Sequence, residues 1–164
     1  MSAWRRPCIN RLMAYESCVL DGLYAIRWGT EPELADVHSY RAELAAASAK
    51  QGKQLVGLFV MPPDSKIPSD EFRKAQAAAL PDIMEHLEFA VAVFEGSGFM
   101  LALKRSALGA ILLLAPKRFS IHVRASVEEA LLEDPPKPVG FDARGAIAEL
   151  RRRKIISPAA AASY

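Results

Sequence analysis

The 164-residue chain is poor in the residue types that announce chemistry. It has two cysteines, Cys8 and Cys18. Two cannot form a disulfide framework or a four-cysteine metal site. Both read as reduced thiols of a cytoplasmic protein, and Cys18, inside an apolar run, reads as a small core hydrophobe. There are three histidines, His38, His86 and His122, and none has a carboxylate or cysteine at zinc-ligand spacing. No Walker loop, dinucleotide fingerprint or nucleophile elbow is present, so no cofactor and no catalytic residue is expected. Residues 1–13 are basic but lack the apolar stretch of a secretory leader. The longest apolar stretch, residues 98–115, is interrupted by Lys104 and Arg105, which argues for a buried helix and against a membrane span. An excess of one charge is also missing, since the net charge is only +2.

That balance hides an asymmetry. Arg5, Arg6 and Arg11 open the chain with no acid among them, and Arg151, Arg152, Arg153 and Lys154 lie near its end. A mildly acidic body with basic ends is not a nucleic-acid-binding face, so no nucleic-acid partner is expected. The run at 151–154 reads as the solvated last turn of a helix, where cations suit the macrodipole. The remaining composition, 51% hydrophobic and 24% charged, excludes disorder and low complexity and suits one domain.

The elements that are present follow a clear order. Tyr15–Leu20 and Leu23–Trp28 are β-prone runs joined by Asp21-Gly22, a hairpin signal that expects positive φ at both turn residues. Thr30 with Glu33 is a capping box for a helix with Leu34, Val37, Arg41, Leu44 and Ser48 on one face, ended by Gly52. Leu55–Met61 (LVGLFVM) and residues 89–94 (FAVAVF) are apolar runs of strand length, expected in the middle of a parallel sheet. Between them a loop carries three prolines, and Ser69 caps a helix running to about Leu87, which Pro81 should break. Gly96-Ser97-Gly98 turns into a third helix, Phe99–Leu114, and residues 119–123 form a last strand. Ser126 with Glu129 caps a short helix to Glu133. The prolines of 134–140 mark the end of the fold. A basic helix over 142–154, with Ile147 and Leu150 as a thin apolar stripe, and a frayed tail follow.

The expected fold is therefore α/β, in the order ββαβαβαβα. Its sheet is mixed but mostly parallel, of about five strands, with helices on both faces if the crossovers alternate. The expected division is a basic arm at 1–14, the domain at 15–133, and a Pro-rich linker, helix and tail at 134–164.

A hairpin followed by repeated helix–strand units over roughly residues 15–133 resembles the STAS-like fold of anti-sigma-factor antagonists, whose architecture is similar to the CRAL-TRIO lipid-binding domains. The antagonists carry a phosphoacceptor serine in an Asp-Ser-Ser-Gly-apolar turn between a strand and a helix. Glu95-Gly96-Ser97-Gly98-Phe99 looks like that turn, with Glu95 in place of the aspartate and Gly96 in place of the first serine. The turn in the family's topological place is one unit earlier, at Pro63-Asp64-Ser65, which keeps the Asp-Ser pair and lacks the glycine. The resemblance thus implies a phosphoacceptor at Ser97 or Ser65, with Glu95 and Asp64 supporting.

Residue chemistry points to the same place. A glycine-rich turn feeding a helix N-terminus at the carboxyl end of a strand suits an anion. The plainer reading makes Ser97 the N-cap and the glycines a tight corner. Lys104 and Arg105 could face a bound anion, but such a pair is expected at the solvent edge. Three functions follow as expectations. The first is a non-enzymatic regulatory module with a protein partner, switched by serine phosphorylation. The second is binding of an apolar ligand such as a lipid, suggested by the very apolar third helix. The third is a small enzyme using Ser65 or Ser97. An unblocked hairpin edge also makes a homodimer conceivable.

Overall fold

The computed structural model describes residues 15–133 and 140–158. The hairpin, β1 (Tyr15–Leu20) and β2 (Leu23–Trp28), pairs antiparallel with Leu20 opposite Leu23. Only Gly22 of its two-residue turn takes positive φ, 71°, and Asp21 does not. The expectation of two such residues is corrected accordingly.

Helix α1 (Leu34–Gln51) starts from a capping box, but one formed by Glu33 and Asp36 rather than Thr30 and Glu33. The Asp36 carboxylate accepts from the Glu33 N–H at 2.7 Å. The helix turns its Val37–Tyr40–Leu44–Ala47 stripe inward, so Tyr40 takes a place that the expected stripe gave to Arg41. Strand β3 (Leu55–Met61) follows, then α2 (Asp70–Glu85), whose N-cap Ser69 accepts from the Phe72 N–H at 3.2 Å. Pro81 does not break α2. Its neighbours Leu80 and Ile83 are buried, and packing on both sides of the proline outweighs one lost backbone bond. Strand β4 (Leu87–Phe94), α3 (Phe99–Leu114) and β5 (Ile121–Arg124) complete the repeating units. The helix expected after Ser126 ends as a single π-helical turn, Glu129–Glu133. Helix α4 (Ala143–Arg152) starts on Asp142, whose side chain accepts from the Gly145 N–H.

The sheet is mixed and mostly parallel, with five strands in sequential order β1-β2-β3-β4-β5. β3 lies at its centre and β4 beside it, so both apolar runs are interior strands as expected. Sequential order decides where the helices go. Each right-handed crossover steps in the same direction, so each deposits its helix on the same face. The crossovers do not alternate: α1, α2 and α3 form one layer. The opposite face is covered by the C-terminal segment instead. Val127, Ala130 and Leu131, then Ile147, Leu150, Ile155 and Ile156, pack on Cys18, Leu23, Leu58, Val60, Val91 and Val93. The chain beyond the prolines is thus part of the core. The arm at 1–14, with Cys8, the segment 134–139 and the tail from 159 lie outside the described residues.

Candidate ligand-binding site

The two candidate loops leave adjacent strands at the same end of the sheet. Met61 of β3 lies opposite Phe94 of β4, and the Glu95 N–H donates to the Met61 carbonyl at 2.9 Å. From there Pro62–Ser65 and Glu95–Gly98 run side by side. Gly96, at φ 104°, packs on Pro63, and a β-carbon there would stand 3.3 Å from the proline Cβ. Both serines expected from the resemblance therefore sit in one place, but in different states. Ser65 is buried, at 6% exposure, and its Oγ donates to the Pro62 carbonyl at 2.9 Å. Ser97 is exposed and lies one position before Gly98, which is the N-cap of α3. The reading of Ser97 as N-cap is thereby corrected: the chain enters the helix at Gly98 with φ 81°, a conformation that suits glycine.

The supporting residues separate. Glu95 accepts from the Arg27 guanidinium at 3.0 Å and from Ser157 Oγ at 3.3 Å, which ties it to the C-terminal segment. Asp64 and Arg105 are exposed. Lys104 is not at the solvent edge; it is 5% exposed and turned inward. Its ammonium donates to the Pro62 carbonyl at 3.0 Å and the Pro63 carbonyl at 2.7 Å. The Pro62 carbonyl also takes the Ser65 N–H. Burial pushes the Lys104 pKa down, and the charge of Asp64 partly offsets this. Lys104 is thus a cation stitched under α3, where an apolar residue would be expected from its neighbours.

Beneath it lies an apolar cavity of about 100 Å³ between α2, α3 and the sheet. Strand alternation explains why the space is there. In FAVAVF, Val91 and Val93 point to the face covered by the C-terminal segment, and Ala90 and Ala92 point under the helices. Opposite them α3 presents Ala107, in a buried stripe of only three residues with Lys104 and Ile111. Small side chains facing small side chains leave room. Phe59, Phe72, Leu80 and Ile83 close the sides. Four polar residues join this otherwise apolar lining: Ser65, Lys66, Gln76 and Lys104. The Gln76 amide donates to the Tyr40 hydroxyl, and its Oε1 is buried with no hydrogen-bond partner among the described residues.

The outer side of α3 is apolar as well. Phe99 is 76% exposed and Leu113 89%, and Met100 and Leu114 are also exposed. Among the described residues no helix is long and apolar enough to cross a membrane, and no group of His, Cys, Asp or Glu is arranged to hold a metal ion. No protein-family model, curated protein or solved structure matches the chain.

Sequence reasoning singled out the loops at 62–65 and 95–98 but not Gln76, Ala90, Ala92 and Ala107, which line the neighbouring cavity. The one signal for them was the alternation of alanine with larger residues in β4. It marks the strand face that leaves space.

Proposed function

We propose that the domain binds a small apolar ligand in the cavity between α2, α3 and the sheet. The observation that carries this reading is the cavity itself. Engineered apolar cavities of about 150 Å³ take up benzene; the space here, about 100 Å³ and partly open, is smaller and suits part of a short chain rather than a whole ring. Native mass spectrometry of protein purified without detergent is the test. A bound adduct is expected in the wild type and not in Ala107→Leu, which fills the space. Identical apo masses for both, with no response to added 1-octanol, would overturn the reading.

A second reading is a regulatory interaction module, and the apolar outer side of α3 favours it. Phe99 and Met100 are exposed two and three residues after Ser97, so a phosphate on Ser97 would place nearly two negative charges near an apolar patch. Sedimentation of the wild type, Phe99→Ser and Ser97→Asp tests this with a second copy as partner. Association weakened by both substitutions is expected; three equal monomers would remove self-association from this reading.

A further inference from the structure

We infer that Lys104 is the anchor for the carboxylate head of a single-chain acid whose apolar body fills the cavity. The inference rests on the ligand reading above and adds the chemistry of the head group.

Three observations carry it. Lys104 is buried and lines the cavity. Its two hydrogen bonds go to the carbonyls of Pro62 and Pro63. An ammonium has three donors, so one is left over. Both acceptors are neutral, and among the described residues no carboxylate is hydrogen-bonded to this nitrogen. A buried cation that lacks a hydrogen-bonded anion is expensive. Asp64 acts on it only through its charge. An incoming carboxylate would take the third N–H in a charge-assisted bond and neutralise the cation at once.

The rest of the lining limits what else can bind there. The other cavity side chains are apolar except Ser65, Lys66 and Gln76. Lys66 also lines the cavity but is exposed and paired with Glu31 at 3.0 Å. One buried cation matches a head with one negative charge better than a phosphate. The plain alternative is that Lys104 only clamps α3 to the Pro62–Pro63 loop.

The test compares octanoate, octyl phosphate and 1-octanol on the wild type and on Lys104→Met by titration calorimetry. Octanoate is expected to bind the wild type about tenfold tighter than octanol, the size of one charge-assisted hydrogen bond, and Lys104→Met should erase that ratio while octanol still binds. Equal binding of octanoate and octanol to the wild type would overturn the anchor and leave the cavity reading standing. Tighter binding of octyl phosphate than octanoate would overturn the carboxylate assignment. No binding of any of the three would overturn the ligand reading itself. Should Lys104→Met not fold, the Lys104 Nζ resonance of the wild type decides: a shift with octanoate and none with octanol is expected, and equal behaviour with both contradicts the anchor.

Discussion

The two faces of this sheet are covered by different means, and only one is sealed. On the C-terminal side, aliphatic residues interlock: Val56, Leu58, Val60, Val91 and Val93 meet Leu131, Ile147, Leu150, Ile155 and Ile156. On the helical side, the half over β1–β3 is filled by edge-to-face aromatics, Tyr15, Trp28, Tyr40, Phe59 and Phe72. The half over β4 and β5 is not filled. There alanines face α3, the cavity opens and a lysine lies buried. The same strands supply both faces, so the difference lies in side-chain size at alternate positions.

The contrast can be broken at several points. The largest effect should come from the sealed face. Leu150→Ala removes a side chain with no exposure at all and should cost about 3–4 kcal/mol in urea unfolding. Ile111→Ala, beside the cavity, should cost less, about 2 kcal/mol, because part of its surface has no neighbours to lose. Equal costs would mean that the two faces are equally packed. Next, Ala107→Leu should raise stability by about 1 kcal/mol; a loss of similar size would show that the space is not available to a side chain.

Lys104 gives a pH-dependent version of the comparison. Its folded pKa is lowered by burial, so the unfolded chain holds that proton more tightly. Its contribution to stability is complete above the ordinary lysine value of about 10.4 and is lost as pH falls through the lowered value. The stability of the wild type relative to Lys104→Met should therefore rise as pH climbs toward the ordinary lysine value. A flat difference would mean that the ammonium is not desolvated. The smallest effect belongs to the sealed face. Hydrogen bonds from Arg152 and then Arg153 bring the Glu149 pKa from 4.5 down to about 2. Its contribution is present above pH 4.5 and lost toward pH 2. Glu149→Gln should flatten that part of the acid unfolding curve.

Much of the fold is legible in the residues because local signals agree there. Asp21-Gly22 between two β-prone runs, the continuous apolar runs of β3 and β4, and Ser69 before α2 each have one physical reading. The layer on which each helix lies is not a local property. It follows from strand order, which no residue pattern of this chain specifies, and so the C-terminal cover was invisible as well. Its stripe, Ile147 and Leu150, looks thin until Ile155 and Ile156 fold back beside it. Pro81 misled because propensity is local and the packing of Leu80 and Ile83 is not. At the site, the loops were legible from their glycines and prolines. The direction of Lys104 was not, since an apolar helix with one lysine fits either a solvent edge or an inward bond. The alanines of FAVAVF held the cavity in plain sight, but period-two alternation gains meaning only once each face has a known cover.

The account turns on whether the space under α3 accepts an apolar body. Amide NMR of the wild type titrated with 1-octanol tests that most directly. Saturable shifts centred on Ala90, Ala92, Ala107 and Ile111, absent in Ala107→Leu, are the expected result. Shifts confined to Phe99, Met100 and Leu113 on the outer side of α3, or no saturable shifts, would contradict it.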